Sequence, residues 1–156
     1  MNTVKNYTCF IALLFFSLLF TKGYSQQRPV RWNYSVKKIS DKLYEVHLKA
    51  VINDGWHIYS QEQPKDAIGL PTTVKFTANP LLSLKGNLQE KGKLEKVKNE
   101  DLGMENHQYQ NEVEFVQVVA MKANVKTNIT GNIEFMACTD ERCLPSETIS
   151  FSLQLQ

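Results

Sequence analysis

Gly131 to Phe151 reads GNIEFMACTDERCLPSETISF, and the rest of the chain is best read outward from it. Ile129, Ile133 and Phe135 share one parity before the cysteines, and Ile149, Phe151, Leu153 and Leu155 share one after them. Period-two alternation on both sides of a polar Thr139-Asp140-Glu141-Arg142 turn is the pattern of two half-buried strands. Cys138 and Cys143 stand at the two ends of that turn, within reach of a local disulfide. Closing so small a loop constrains the unfolded chain by only about 2 kcal/mol, so the pair fits a working part better than a staple.

If the strand runs unbroken through Ala137, Cys138 falls on the parity of Thr130, Asn132 and Glu134, opposite the apolar stripe. Its sulfur is then expected to face away from the interior and to be exposed. Pro145 limits how the chain leaves the turn and fixes the second thiol near a strand start. Thiol-disulfide exchange needs such a pair, because the incoming thiolate must approach a sulfur along the S–S axis. Arg142 favours a thiolate at Cys143, while Asp140 and Glu141 oppose it. The competing reading is a non-catalytic binding or scaffold sandwich in which the pair merely staples a hairpin. Against it, a sandwich disulfide usually joins strands far apart in sequence. A metal site completed by His57 and His107 matches no compact zinc spacing.

The remaining sequence supports a strand-rich holder. Trp32, Tyr34 and Val36 alternate with polar residues, as do Tyr44, Val46, Leu48, Ala50 and Ile52. His47, between Glu45 and Lys49, is expected to be solvated. Asn53-Asp54-Gly55 signals a turn before the aromatic run Trp56 to Tyr59, and Val74 and Phe76 mark a further strand between Pro71 and Pro80. Phe115 to Val119 is apolar on both parities, which predicts a central strand covered on both faces. Lys85 to Glu105 is charged and glycine-punctuated, and is expected to be a loop-rich excursion with a short hairpin about Lys91-Gly92. No stretch carries a helical period. Seven or so short strands predict a single-domain, all-β, immunoglobulin-like antiparallel β-sandwich.

Residues 1–25 have Lys5 ahead of an apolar run, Phe10 to Phe20, that is shorter than the roughly 20 residues of a membrane span. They are expected to be a cleaved secretory signal, with an uncleaved anchor as the alternative. Cys9 precedes the run and would leave with it, so Cys138 and Cys143 are the cysteines of the expected mature domain, 26–156. Setting aside Lys5 and Lys22 leaves 16 basic against 16 acidic residues, which gives no electrostatic case for nucleic acid. Export would place the pair in an oxidising compartment, periplasmic or secreted.

GNIEFMACTDERCLPSETISF, taken with Asp54-Gly55-Trp56-His57-Ile58-Tyr59-Ser60, resembles the N-terminal periplasmic domain of the thiol:disulfide interchange protein DsbD. The resemblance implies a thiol:disulfide oxidoreductase that shuttles electrons through one cysteine pair to thioredoxin-fold periplasmic proteins, in disulfide isomerisation or cytochrome c maturation. It implies no metal and no small-molecule cofactor. By the same resemblance Cys143 forms the mixed disulfide and Cys138 resolves it, with His57 and Tyr59 as neighbours and Arg142 beside the attacked sulfur. A cap loop is implied at Glu100, Asp101, Leu102, Gly103 and Met104, in which Leu102 or Met104 replaces the family's aromatic shield. His57 stands where a tyrosine is common. The stretch carries no membrane domain or thioredoxin-like domain, so either a separate membrane-embedded protein is expected to donate the electrons or the chain has another role; a monomer is expected.

Overall fold

Nine strands account for most of the computed structural model, which describes residues 28–99 and 103–156. The expected signal, residues 1–25, lies outside the described residues. β1 (Val30–Ser40) and β2 (Leu43–Ile52) form a hairpin in which the even-numbered residues of β2, Tyr44 to Ile52, are buried. β2 then pairs with β6 (Met104–Met121) over Glu112 to Ala120, and β3 (His57–Tyr59) continues along the same edge of β6 at Gln108 to Gln110. β5 (Leu82–Asn99) runs along the other edge of β6, and β8 (Ala137–Cys138) closes the sheet against β3. β4 (Thr73–Phe76), β7 (Thr127–Phe135) and β9 (Glu147–Leu155) make a second sheet in the order β4-β7-β9. All pairing is antiparallel, and the molecule is an immunoglobulin-like β-sandwich, as the alternation predicts.

The core lies between the sheets. Val46, Leu48, Val113, Phe115 and Val119 of the first meet Ile129, Ile133, Phe135, Phe151 and Leu155 of the second. Trp32 of β1 ties them together, with its ring 5.8 Å from that of Phe115 and 5.4 Å from that of Phe135. Gly131 has no room for a side chain, because a Cβ there would stand 2.5 Å from the carbonyl oxygen of Lys75 and 2.6 Å from the Phe151 ring. β6 is the central strand its apolar run predicts, with Phe115, Val116, Gln117 and Val119 all buried.

Two expectations are corrected. Lys85 to Glu105 is no loop-rich excursion. Most of it is the long strand β5, and no hairpin forms at Lys91-Gly92, since Gly92 pairs with Val113. The strand is disguised by register shifts between Lys85 and Gln89 and between Gly92 and Leu94, which break the period of two on which strand recognition depends. The Gln117 side chain makes good the first break by donating to the Lys85 carbonyl at 3.0 Å. His47 is not solvated either. Its ring is largely covered, with Nδ1 3.1 Å from Glu114 and Nε2 3.4 Å from Glu45.

Candidate functional site

The site arises where the chain changes sheets. β7 ends at Phe135, Met136 is unpaired, and Ala137-Cys138 joins the other sheet opposite Ile58 and His57. Parity survives the crossing. Phe135 and Ala137 remain in the core cluster, while Cys138 turns to the opposite face with His57. The turn that follows is organised by Thr139, whose hydroxyl accepts from the backbone N–H groups of Glu141 (3.3 Å) and Arg142 (3.1 Å). The Thr139 N–H donates to the Arg142 carbonyl at 2.8 Å, and the Leu144 N–H donates to the Ala137 carbonyl at 2.9 Å. These two bonds bracket Cys138 and Cys143 as a directly opposed pair with Cα atoms 4.0 Å apart, joined as a disulfide.

Directly opposed residues of an antiparallel sheet project on the same side. Gln110, His57, Cys138 and Cys143 are opposed in succession, so they form one row across the sheet, on the face turned away from the core. A neighbouring row is Glu95, Gln108 and Tyr59. Cys138 is fully buried, which corrects the expectation of an exposed sulfur: it faces away from the core as the parity requires, yet is covered there. Cys143 is exposed.

The neighbours are held firmly. The Tyr59 ring meets the His57 ring edge-on at 5.4 Å, and Gly69 lies against the same Tyr59 ring, where a Cβ would stand 2.3 Å from it. Asn106 keeps this strap in place, its side-chain oxygen accepting from the Ile68 N–H at 3.1 Å. Thr72 donates to the Tyr59 carbonyl at 2.6 Å. Burial lowers the pKa of His57 below its ordinary value against the opposing pull of Asp140 and Glu95, and burial raises that of the Tyr59 phenol. A pocket of about 290 Å³ opens over His57 and Tyr59, walled by Val97 and Lys98 of β5, Asn106 and Gln108 of β6, and Thr139 and Asp140 of the turn. On the other side of the turn, Arg142 lies 5.9 Å from the Trp56 ring, beside a wider hollow of about 560 Å³.

Cys138, Cys143, His57, Tyr59 and Arg142 are thus brought together. Of the expected cap, Met104 begins β6 opposite Asn99, while Glu100, Asp101 and Leu102 lie outside the described residues. His107 falls on the other parity of β6 from Gln108 and Gln110, with Nε2 3.0 Å from Glu105 and Nδ1 3.2 Å from the Glu62 carbonyl, and does not join the cysteines. The sequence reading missed Glu95, Val97, Asn106 and Gln108. The alternation of Asn106, Gln108 and Gln110 was the available signal, concealed because β5 was not recognised as their neighbour.

A sandwich that carries one disulfide on a turn between its sheets, with one sulfur buried and the other residue open, has the architecture of a thiol-disulfide interchange domain. The chain belongs to the family described as thiol:disulfide interchange protein DsbD, N-terminal, which matches residues 26–155. Among solved structures, it is similar in fold to the N-terminal periplasmic domain of ScsB from Proteus mirabilis (TM-score 0.56, 16% identity, 84% of this chain covered). It spans only 47% of that chain, about half its length. It is likewise similar to the Neisseria meningitidis DsbD N-terminal domain in the reduced form (TM-score 0.50, 16% identity), covering 78% of this chain and 83% of that one. The structure of the complex between the DsbD N-terminal and PilB N-terminal domains of the same organism also matches (TM-score 0.52, 14% identity), covering 84% of this chain and 87% of that one. No curated protein matches the chain. Among the described residues, no helix is long and apolar enough to cross a membrane.

Proposed function

We propose that this domain is a thiol:disulfide oxidoreductase module that passes two electrons from its reduced cysteine pair to a protein disulfide. The Cys143 thiolate attacks the partner disulfide, a mixed disulfide forms, and the partner's second sulfur leaves as a thiolate. Cys138 then attacks the Cys143 sulfur, the Cys138–Cys143 bond forms, and the partner departs as a dithiol. The observation that carries this reading is the asymmetry of the pair. Attack runs along the S–S axis, and the exposed Cys143 can be approached from solvent while the fully buried Cys138 cannot.

The partners are thioredoxin-fold proteins, and a separate membrane-embedded protein returns the electrons. A relative's recorded complex with another protein's N-terminal domain supports a protein partner over a small molecule. Residues 1–25 are removed on export, and the mature domain, 26–156, works as a periplasmic or secreted monomer without metal or cofactor. Equilibration in glutathione redox buffers tests the reading. An exchanging pair has a reduction potential above about −300 mV, and a pair that stays oxidised below that value is a structural staple.

A further inference from the structure

We propose that His57 takes the Cys138 proton as that cysteine attacks the mixed disulfide, and returns it when Cys138 is the leaving sulfur. This rests on the exchange reading above and adds the proton route that the reading lacks. A buried thiol resists ionisation, and a thiol without its charge is a poor nucleophile. Cys138 is fully buried, so its proton needs an acceptor inside the protein. His57 is the residue directly opposite it in the sheet, on the same face and in the same row. The ring is itself only 5% exposed, yet it lines the pocket of about 290 Å³ that opens to solvent, so a proton it receives has a way out.

The groups around His57 suit it to be an acceptor. Burial keeps the ring neutral at pH 7, and a neutral imidazole has one nitrogen free to accept. Asp140 of the turn and Glu95 of β5 both favour the protonated ring, so they stabilise the imidazolium once it forms. Tyr59 on β3 stays a neutral phenol, its pKa raised by burial. Lys98 on β5, also at the pocket, lies 3.7 Å from Glu105, which offsets its charge. The step balances: the Cys138 S–H proton passes to an imidazole nitrogen, the sulfur lone pair forms the bond to Cys143 Sγ, and the electrons of the broken mixed disulfide leave on the partner's sulfur.

The reduced protein mixed with the aryl disulfide dithiobis(nitrobenzoate) tests this by stopped flow. The first arylthiolate is released on attack by Cys143 and the second as Cys138 resolves the mixed disulfide. With an internal acceptor already neutral, the second rate in the parent stays flat within about threefold from about pH 6.5 to 8.5. In His57→Phe and His57→Gln the proton must go to hydroxide, so the rate climbs about tenfold per pH unit, about 100-fold over that window. Matching slopes in parent and variants would overturn the assignment. So would a parent profile that rises tenfold per unit, whether or not the variants fold. Release of a single arylthiolate by the parent, or a second phase that persists in Cys138→Ser, would overturn the exchange reading itself and this assignment with it.

Discussion

Gly69 lies flat against the ring of Tyr59, with its backbone so near that a Cβ would stand 2.3 Å from the nearest ring carbon. The ring cannot retreat freely, because His57 meets it edge-on at 5.4 Å and Thr72 pins the Tyr59 carbonyl. Gly69→Ala is therefore an overpacking change at the site itself. It should lower stability by about 1–3 kcal/mol in urea unfolding. A variant as stable as the parent would mean that the strap lifts off the ring at little cost.

The unequal exposure of the two cysteines predicts which variant traps a partner. Cys138→Ser leaves the open thiol and removes the resolving one, so it should accumulate a mixed disulfide with a thioredoxin-fold protein on non-reducing gels. Cys143→Ser should not. Trapping by Cys143→Ser alone would reverse the roles.

The resemblance's expectation that Glu100 to Met104 caps the disulfide, of which Glu100, Asp101 and Leu102 lie outside the described residues, can be tested by substitution. Val97 and Lys98, just before it on β5, already wall the pocket beside His57. Leu102→Ala combined with Met104→Ala should speed reduction by glutathione while leaving circular dichroism and stability close to the parent. Unchanged reduction rates with an unchanged spectrum would assign the shielding elsewhere.

Glu90 gathers three donors: the Ser60 hydroxyl at 2.6 Å, the Gln61 N–H at 2.7 Å and the Tyr109 hydroxyl at 2.9 Å. It thereby ties the end of β3 to β5 and β6. Ser60 and Tyr109 are buried, so Glu90→Ala strands two hydroxyls and should cost about 2–3 kcal/mol. In a double-mutant cycle with Tyr109→Phe the losses should fall short of additivity by more than about 0.5 kcal/mol. Additive losses would show that the two side chains do not act together.

Stability should fall on both sides of a neutral window. The folded state depresses the His57 pKa, so its contribution is complete above the ordinary value of about 6.5 and is lost as pH falls below it. The folded state raises the Tyr109 pKa through burial and the Glu90 carboxylate, so that contribution is complete below about 10 and is lost as pH climbs above it. His57→Phe should flatten the acid limb of a plot of urea midpoint against pH, and Tyr109→Phe the alkaline limb. A variant whose limb stays as steep as the parent's would exonerate that residue.

The sandwich was legible wherever strands alternate without interruption. β1, β2, β4, β7 and β9 follow parities that can be read from Trp32, Tyr44, Val74, Ile133 and Phe151. β5 was not, because two register breaks scramble its parity and its exposed lysines and glutamates resemble a solvated loop. The site was half legible for the same reason. The cysteines and the His57 to Tyr59 run announce themselves by residue type, and even the change of sheet at Met136 preserved the parity that turns Cys138 from the core. The burial of Cys138 was not readable, since it depends on which distant residues cover that face.

The shortness of β8 bears on how long any visitor stays. Only Ala137 and Cys138 pair with β3, and the strip beyond them ends at Pro145, which has no N–H to offer. This edge therefore supplies no ladder along which an extended segment of another chain could zip, either to aggregate or to dock by strand addition. In the proposed exchange, a visiting protein holds on through side chains around a four-residue turn until the covalent bond forms, and has little to keep it once that bond is broken. Under the proposed function, brief residence is what turnover demands of a carrier filled by one protein and emptied by another.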